Sequence, residues 1–420
     1  MTNIDKVAVI GAGVMGAGIA AHAANAGIAV ILLDVVPDGA TNRSVLAETA
    51  VNNMLKADPA PLMHKRNSRR IQTGNLDDDL SLLAECDLVI EAVIEDLEIK
   101  QDLYRRVDSA RKHGSIVTSN TSTIPLAKLV SGLPEGFARD FAITHFFNPP
   151  RYLRLLEVVA GTNTRTDVIT SLQVFGDRAL GKSVVQCKDT PGFIANRIGL
   201  YGVACVLEQL ATGNFTIEEI DAMTGPALGR PKSATFRTMD IAGIDILAHV
   251  TTDLVQRLES DEERRVFDLP PLIGELTTRR WLGEKSGQGF YRKARGPEGS
   301  VILTLDPQRM EYRPRQKPRL GTLDAARTID DLAERVRSLF QARDNVGEFT
   351  RATLGRTLVY TAENASEMAH TPDDVDRAMR WGFGWDLGPF ELLDAIGVDT
   401  VLEACVDQDL SDEARTWAGL

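Results

Sequence analysis

The sequence is poor in cysteine, in long apolar runs and in positive charge. Its four cysteines, Cys86, Cys187, Cys205 and Cys405, lie far apart and form no CxxC pair, so neither a structural zinc site nor a disulfide framework is expected. No run of about 18 apolar residues is present, so we expect no membrane span. The first residues lack a basic segment followed by an apolar one, so no secretory signal is predicted. These features suit a cytoplasmic protein without a metal site.

The formal net charge of −12 disfavours non-specific binding to nucleic acid or to an anionic membrane. A polyanionic ligand can still bind an acidic protein, but only through a locally basic site or a helix N-terminus. The length of 420 residues predicts two or three domains at roughly 150 residues each. A hydrophobic fraction of 43% argues against a disordered chain and favours a globular enzyme.

Apolar, strand-like runs alternate with helical stretches over residues 1–189, which predicts an α/β domain with a mostly parallel sheet. Near Asp189 the pattern changes to the 3–4 spacing of an amphipathic helix, with Pro191 suited to its first turn. We expect strands at Lys6–Ile10, Ile28–Asp34, Leu88–Val93, Ser115–Asn120, Phe141–Phe147, Leu155–Ala160 and Ser183–Cys187.

The second half of the chain contains an internal repeat. Residues 220–247 align with residues 375–402 after one insertion, and both end in a similar aspartate- and glycine-containing turn. Aspartates occur at matching positions, namely Asp221, Asp240 and Asp245 in the first copy and Asp376, Asp394 and Asp399 in the second. We therefore predict two tandem all-α helical domains, at 190–295 and 344–420. The Gly-, Pro- and Arg-rich segment 296–343 is interpreted as a linker with a short hairpin.

A glycine-rich turn directly follows the first predicted strand and opens a helix. It reads Gly11-Ala12-Gly13-Val14-Met15-Gly16. In this GxGxxG pattern Gly11 permits a tight turn, Gly13 lets a pyrophosphate approach the backbone, and Gly16 allows close helix–strand packing. Asp34 ends the next strand, where a carboxylate binds the adenosine ribose and repels a 2′-phosphate. Residues 1–189 are thus predicted to form a Rossmann-type domain that binds NAD; the alternative is a glycine turn without a ligand.

His145 and Glu157 lie twelve residues apart on two successive predicted strands. A histidine poised near neutral pH can remove a hydroxyl proton while hydride leaves the same carbon. A buried carboxylate on its other nitrogen would fix the tautomer and stabilise the imidazolium. By itself His145 is more simply explained as a hydrogen-bonded core histidine. Glu157 in an apolar strand is harder to explain that way, because buried carboxylates seldom lack a partner.

Two further polar positions are candidates for substrate binding. Ser119-Asn120-Thr121-Ser122 ends another predicted strand, where doubly wound sheets place ligand-facing groups. The alternative is a turn or helix cap made by the same hydroxyls. Asn196 lies off the apolar face of its helix, so the local sequence predicts solvent exposure unless another domain covers it.

In combination these segments resemble the L-3-hydroxyacyl-CoA dehydrogenases of fatty-acid β-oxidation. The motifs VAVIGAGVMGAGIA, VIEAVIED, SNTSTIP, HFFNPP, LLEVV, KDTPGFIANR and GEKSGQGFY occur in family order. The resemblance covers residues 4–291 closely and 346–400 through the repeat. It implies oxidation of an L-3-hydroxyacyl-CoA to the 3-ketoacyl-CoA with NAD.

The resemblance also implies roles for individual residues. His145 would be the general base, Glu157 would orient it, and Ser122 and Asn196 would hydrogen-bond to the substrate oxygen. Besides the glycine turn and Asp34, it implies a set of NAD-binding positions: Ala92, Val93, Glu95, Lys100, Asn120, Asn148 and Lys285.

Two features depart from the single-copy members of that family. The duplicated helical domain is similar to that of multifunctional β-oxidation enzymes, which implies an internal pseudo-dimer and hence a monomer, or a subunit of a larger β-oxidation complex. The region 54–76 does not align with the family's CoA-contacting helices. Its basic residues Lys65, Arg66, Arg69 and Arg70 are candidates for binding the CoA phosphates, although a solvated surface explains any one of them equally well.

Two alternative functions stay open on the sequence. One is an NAD-dependent dehydrogenase of a non-CoA β-hydroxy acid or sugar acid, which would share the dinucleotide-binding half. The other is a non-catalytic NAD-binding descendant, which has no physical need of all four of His145, Glu157, Ser122 and Asn196.

Overall fold

The computed structural model of the chain describes residues 3–258, 261–296, 299–405 and 411–419. Its contacts divide the chain into two units, Met1–Phe193 and Ile194–Leu420. The first unit is an α/β unit and the second is mainly helical, so the predicted fold class is confirmed. Among the described helices, none combines the length and apolar character that crossing a membrane requires.

The first unit is built on an eight-stranded sheet. Its strands are β1 (Lys6–Ile10), β2 (Ala29–Asp34), β3 (Ile71–Asn75), β4 (Leu88–Glu91), β5 (Ile116–Ser119), β6 (Phe141–Phe146), β7 (Leu155–Ala160) and β8 (Ser183–Cys187). The helices are α1 (Val14–Asn25), α2 (Val45–Met54), α3 (Leu97–Ala110), α4 (Leu126–Leu129), α5 (Glu135–Arg139) and α6 (Thr166–Val174).

The order of strands across this sheet is β3-β2-β1-β4-β5-β6-β7-β8. All neighbouring strands pair in parallel except β6 and β7, which pair antiparallel. The central strands are buried along nearly their whole length, as in β4 and β6. Burial of both faces explains why these strands appear in the sequence as continuous apolar runs.

Strand β3 was not among the strands expected from the sequence. It occupies the edge of the sheet and pairs with β2, with Ile71 opposite Val30. Its sequence IQTGN has a single large apolar residue, and Gln72 is exposed. An edge strand needs little apolar surface, because only one neighbour pairs with it. The pairing with β2, rather than its own composition, makes this segment a strand.

The second unit contains fourteen helices in the described part of the chain. They are α7 (Ala195–Ala211), α8 (Ile217–Thr224), α9 (Phe236–Ala242), α10 (Ile244–Arg257), α11 (Asp261–Val266), α12 (Pro271–Thr278), α13 (Gly321–Ala326), α14 (Leu332–Gln341), α15 (Asn345–Thr350), α16 (Arg356–Met368), α17 (Pro372–Gly382), α18 (Pro389–Ile396), α19 (Val398–Cys405) and α20 (Asp412–Trp417). A small antiparallel sheet, in the order β11-β10-β9, joins them through β9 (Tyr291–Gly296), β10 (Gly299–Asp306) and β11 (Glu311–Pro314).

The segment 296–343, interpreted from the sequence as a linker with a hairpin, is more regular than expected. The alternating run 300–305 lies within β10, which pairs with β9 on one side and β11 on the other. The helices α13 and α14 follow, and Leu323, Val336 and Leu339 on them are buried. Gly and Pro in this segment mark turns between short elements rather than an extended tether.

The repeat seen in the sequence has matching local structure in its two copies. A capping box starts α8 at Thr216 and α17 at Thr371. Asp221 then accepts hydrogen bonds from backbone N–H groups at the start of α9, and Asp376 does the same at the start of α18. Asp221 and Asp376 therefore recur because each one holds the N-terminus of the next α-helix.

The glycine that ends the aligned helix has nearly the same backbone conformation in both copies. Gly243 has φ 102° and ψ 122°, and Gly397 has φ 102° and ψ 121°. Positive φ of this kind is strained for any residue with a Cβ, so both copies keep glycine there. The domain boundaries stay predictions.

Asp376 is a buried carboxyl group that stabilises the second unit in a pH-dependent way. It accepts backbone hydrogen bonds from Phe390 at 2.8 Å and from Glu391 at 3.3 Å. Burial raises the pKa of Asp376 to about 7. For the same reason the pKa of Asp221 and that of Asp240 rise to about 6.

We predict that part of the folding stability is lost as the pH rises from about 4 to about 7. The folded chain holds the Asp376 proton more tightly than the unfolded chain, so the stabilisation is complete below the unfolded pKa and disappears through the folded pKa of about 7. Asp376→Asn keeps an acceptor oxygen but cannot ionise, so melting curves across this pH range should show a smaller decrease than the wild type. Asp330→Asn, a change at an exposed aspartate of the same unit, should keep the wild-type decrease; equal profiles for all three proteins would contradict the prediction.

Candidate active site

The glycine-rich turn follows β1 at the carboxyl edge of the large sheet. Gly11 has φ +103°, and a Cβ there would overlap the carbonyl oxygen of Ala92. A Cβ on Gly16 would overlap the carbonyl oxygen of Gly11. A Cβ on Gly13 would meet no heavy atom within 4 Å. Packing of the chain thus explains two of the glycines, whereas Gly13 borders open space, as the approach of a pyrophosphate requires.

Asp34 ties the end of β2 to the glycine-rich turn. Its Oδ2 accepts a hydrogen bond from the backbone N–H of Ala12 and its Oδ1 from that of Val35, both at 2.6 Å. The carboxylate is only partly exposed. Its place beside the turn fits a ribose of NAD and opposes a 2′-phosphate, because a carboxylate repels a second anion placed next to it.

Large apolar side chains are exposed at the same edge. Among them, only Val14 was expected from the sequence to belong to the site, as part of the glycine-rich turn. Val14 is 74% exposed, Val35 54% and Ile94 64%. They follow β1, β2 and β4, three neighbouring strands of the sheet. Exposed apolar groups clustered around a polar turn often mark a ligand site. The residues present therefore fit a dinucleotide with phosphates and planar rings.

Glu91, at the end of β4, is a buried carboxylate that was not among the site residues expected from the sequence. It is 1% exposed and accepts hydrogen bonds from Lys100 at 2.7 Å, from Tyr104 and Ser119 at 2.6 Å, and from the backbone N–H of Val93 at 2.7 Å. The signal was present, because Glu91 interrupts an apolar run just as Glu157 does. This network joins β4, α3 and β5.

Lys100 and Glu95, both expected to bind NAD, belong to the same network. Lys100 is 1% exposed and lies 3.2 Å from the Glu95 carboxylate. Glu95 also accepts hydrogen bonds from the hydroxyls of Thr121 and Thr123. Burial raises the pKa of Glu95, but Lys100 and the threonine hydroxyls outweigh that effect and hold it below its usual value. An ionised Glu95 therefore anchors the turn that carries Ser122.

His145 and Glu157 form a direct cross-strand pair. They lie opposite each other in the antiparallel register of β6 and β7, so their side chains share one face of the sheet. The imidazole Nδ1 lies 2.7 Å from Glu157 Oε2, and Glu157 is fully buried. The rings of Phe147 and Phe193 pack against the imidazole at centroid distances of 4.5 and 5.6 Å. The arrangement fixes the ring and directs Nε2 away from the carboxylate.

The remaining expected site residues of the first unit lie on turns around this pair. Asn120 follows β5, and its side-chain oxygen accepts a hydrogen bond from the backbone N–H of Phe146 at 2.9 Å. Ser122, two residues later, is half-buried, and Asn148 is exposed just beyond β6. Ala92 and Val93, directly after β4, are half-buried. The carboxyl edge of the sheet thus brings together most of the positions expected in this unit.

Two expected site residues belong to the second unit. Asn196 is half-buried in the first turn of α7. Lys285 lies in a turn before β9, and its ammonium group donates to the Asp245 carboxylate at 2.6 Å. Asp245 is one of the repeated aspartates, so Lys285 and the repeat are linked by an ion pair.

The four basic residues expected to bind CoA phosphates lie elsewhere in the first unit. Lys65, Arg66 and Arg69 are exposed on a 3₁₀ helix, Lys65–Arg70, that directly precedes β3. Arg70 donates to the backbone carbonyl of Gly27, just before β2, at 3.0 Å. These positions are at the amino ends of parallel strands, whereas the glycine turn and His145 lie at carboxyl ends. The structure does not bring the two groups together.

Comparisons with known proteins assign the family. The chain matches the family described as 3-hydroxyacyl-CoA dehydrogenase, NAD binding domain, over residues 6–190. It matches 3-hydroxyacyl-CoA dehydrogenase, C-terminal domain, over residues 192–293 and 347–417. The fold and the glycine turn are those of a Rossmann-type NAD-binding domain. The chain belongs to the 3-hydroxyacyl-CoA dehydrogenase family.

Two bacterial relatives illustrate the similarity. A probable 3-hydroxyacyl-CoA dehydrogenase of Bacillus subtilis is 43% identical over 410 residues, which cover 94% of this chain and 51% of that protein. One of Deinococcus radiodurans is 47% identical over 293 residues, or 70% of this chain and 84% of that protein. The chain therefore spans about half the length of the first of these relatives.

Solved structures show the same fold. Mycobacterium tuberculosis FadB2 is 29% identical with a TM-score of 0.60, covering 69% of this chain and 99% of that one. The 3-hydroxybutyryl-CoA dehydrogenase of Escherichia coli is 22% identical with a TM-score of 0.68, covering 96% of this chain and 93% of that one. At this identity the second likeness supports the fold alone.

We predict that Gly13→Ala and Gly16→Ala have different effects. Gly13→Ala should leave the melting temperature unchanged and weaken NADH binding, because the new methyl group enters the space beside the turn. Gly16→Ala should lower both the melting temperature and the affinity for NADH, because its methyl group overlaps the backbone of Gly11. Fluorescence titration with NADH and thermal melting would measure the two effects. Unchanged NADH affinity in Gly13→Ala would show that the open space is not the phosphate site.

We predict that Lys100→Met destabilises the first unit by about 3–5 kcal/mol, because it leaves the buried Glu91 carboxylate without its cation. Glu91→Gln combined with Lys100→Met should recover part of this loss, since the buried charge is then absent. The matched control is Lys112→Met, which removes a lysine whose side chain is 54% exposed and should therefore cost much less stability. Urea unfolding measures all three; equal losses at Lys100 and Lys112 would contradict the argument.

Proposed function

We propose that the chain oxidises an L-3-hydroxyacyl-CoA to the 3-ketoacyl-CoA with NAD, as one step of fatty-acid β-oxidation. The observation that carries the proposal is the His145–Glu157 pair, with a distance of 2.7 Å between Nδ1 and Oε2. A histidine held by a fully buried carboxylate at the carboxyl edge of a Rossmann-type sheet has the geometry of a general base. The names of the relatives supply the substrate class.

NAD, when bound, accepts the hydride that leaves C3 of the substrate. The His145 Nε2 takes the proton of the C3 hydroxyl, so that the C3–O bond becomes a carbonyl. Glu157 accepts the hydrogen bond from Nδ1–H, which places the basic lone pair on Nε2 and stabilises the imidazolium that forms. The aromatic rings of Phe147 and Phe193 limit rotation of the imidazole and keep water from its faces.

The substrate oxygen needs hydrogen-bond donors as its charge changes during proton transfer. We assign this role to Ser122, which lies on the turn anchored by Glu95, and to Asn196 by the family resemblance. We keep Lys65, Arg66, Arg69 and Arg70 as the predicted contacts of the CoA phosphates, because their side chains are exposed and cationic.

The relatives bear on the assembly in which this activity operates. Two Rickettsia proteins named as putative fatty acid oxidation complex trifunctional enzymes are 34% and 33% identical to this chain, which covers 53% of each. We propose that the chain works as the dehydrogenase component of a larger β-oxidation assembly. Its repeated helical segments would substitute for a dimer partner within the chain.

We predict that His145→Gln lowers kcat by about 10²–10⁴-fold, the usual contribution of a general base, while NADH affinity changes little. Glu157→Gln should also lower kcat, because the imidazolium loses its charged partner. Absorbance of NADH at saturating acetoacetyl-CoA measures turnover, and fluorescence titration measures binding. Glu135→Gln, an exposed change on α5, is the matched control and should leave kcat unchanged.

The same assay separates the proposal from its rivals. Near-normal turnover of His145→Gln would refute the assignment of the base. Activity on free acetoacetate but not on acetoacetyl-CoA would favour a dehydrogenase of non-CoA acids. Tight NADH binding with no turnover of either substrate would favour a non-catalytic protein.

A further inference from the structure

A cavity of about 1190 Å³ lies within the second unit. Its walls come from α8, α9, α13, β9 and the segment 315–320. Small-molecule sites typically measure about 300–1,000 Å³, so this cavity can enclose a ligand of nucleotide size. Eight basic and four acidic side chains line it, although the chain as a whole carries a net charge of −12. The cavity is therefore a local reversal of the protein's charge.

The two acidic groups on α8 are occupied by contacts of the fold. Glu218 is almost fully buried and forms a bidentate ion pair with Arg313, at 2.7 and 2.8 Å. Asp221 accepts hydrogen bonds from the Tyr291 hydroxyl at 2.7 Å and from the backbone N–H of Phe236 at 2.8 Å. Neither carboxylate is available to neutralise the cations around the cavity.

Three of the eight basic side chains also have partners. Arg237 pairs with Glu284, and Arg327 pairs with Asp324. Arg335 donates to backbone carbonyls, including one of Ala227 at 3.1 Å. These contacts explain the side chains as parts of the folded structure.

The other five are Lys232, Arg292, Lys293, Arg315 and Lys317, and no carboxylate of the described residues lies within 4.0 Å of their charged groups. They come from three separate segments of the chain, namely the loop before α9, strand β9 and the segment after β11. Like charges around a concave surface repel each other and concentrate positive potential there. Arg292 and Arg315 lie over the rings of Tyr312 and Tyr291, at 4.4 and 5.7 Å from the ring centroids. Ring contacts leave the positive charge without a counter-ion, and a bound polyanion would supply one.

The surface between these cations is apolar. Ala227 and Leu323 are buried to 5% and 1% exposure, and Ile302 and Leu320 border the same space. A cluster of cations by itself would bind any phosphate. The apolar surface beside these cations also suits a planar ring, so the ligand should carry both a ring and phosphates. We propose that this cavity binds a nucleotide with two or more phosphate groups. Its source is a free nucleotide such as ADP, or the phosphorylated ADP head of a CoA molecule other than the substrate proposed to contact Lys65, Arg66, Arg69 and Arg70.

The test compares two charge-reversed variants of the full chain. Lys293→Glu combined with Lys317→Glu changes the cavity. The control variant combines Arg295→Glu with Arg319→Glu and changes the net charge by the same amount. Both arginines are exposed, lie two positions further along the same segments, and do not line the cavity. Calorimetric titration of ADP, CoA and inorganic pyrophosphate is made with NADH saturating, so that the glycine turn is occupied. Near-ultraviolet circular dichroism and NADH affinity show that both variants are folded.

We expect the cavity variant to weaken binding of the phosphorylated probes by about tenfold or more, and the control variant to change it much less. The binding that is lost in the cavity variant identifies the ligand. If this binding is tighter for CoA than for ADP in the wild type, the ligand is the head of CoA. If ADP binds as tightly as CoA or more tightly, the ligand is a free nucleotide. The proposal is wrong if none of the probes binds the wild type, or if both variants lose affinity equally, which would reflect net charge alone. The proposal would also be wrong if a polyglutamate peptide bound the cavity and none of ADP, CoA and pyrophosphate did. The proposed dehydrogenase activity does not enter this test.

Discussion

The antiparallel pairing of β7 with β6 is the constraint on which the site of the first unit depends. All other neighbouring strands of the large sheet are parallel, yet β7 runs back and places Glu157 directly opposite His145. A register shift of one residue would turn one of the two side chains to the other face of the sheet. Burial of Leu155, Leu156 and Val158 on the same strand makes such a shift costly. The hydrophobic core thus fixes a polar contact of 2.7 Å.

Buried carboxyl groups organise both units, and each is tolerated because donors surround it. Glu91 joins β4, α3 and β5 through Lys100, Tyr104 and Ser119. In the second unit Asp221 and Asp376 hold the first residues of α9 and α18. Burial raises the pKa of both aspartates. Ionising one of these buried carboxyl groups therefore costs more free energy than ionising an exposed one. Polar groups in the interior therefore specify which elements meet, at some expense in stability.

The sequence predicted the parts of the fold whose signal is local. The central strands are apolar because both of their faces are buried, and the glycine turn has its strand–turn–helix context in one continuous segment. Edge strand β3 could not be found in this way, because β2 supplies its pairing and its own residues are mainly polar. The composition of segment 296–343 predicts a linker, because its Gly and Pro residues are typical of a tether. Its strands are stabilised by one another, which local composition does not report.

The residue types at the site, and their places on strand ends, were determined by the sequence alone. It also determined the repeat, because the capping aspartates and the glycines at positive φ are needed in each copy for local reasons. Tertiary structure decided which groups meet. Lys100 is buried in an ion pair with Glu91. Lys65–Arg70 lies at the amino ends of strands. The tertiary structure also gathered five cations around one cavity, none of which has a carboxylate partner among the described residues. These outcomes depend on contacts between distant segments, and burial and charge pairing there follow from packing rather than from neighbours in the chain.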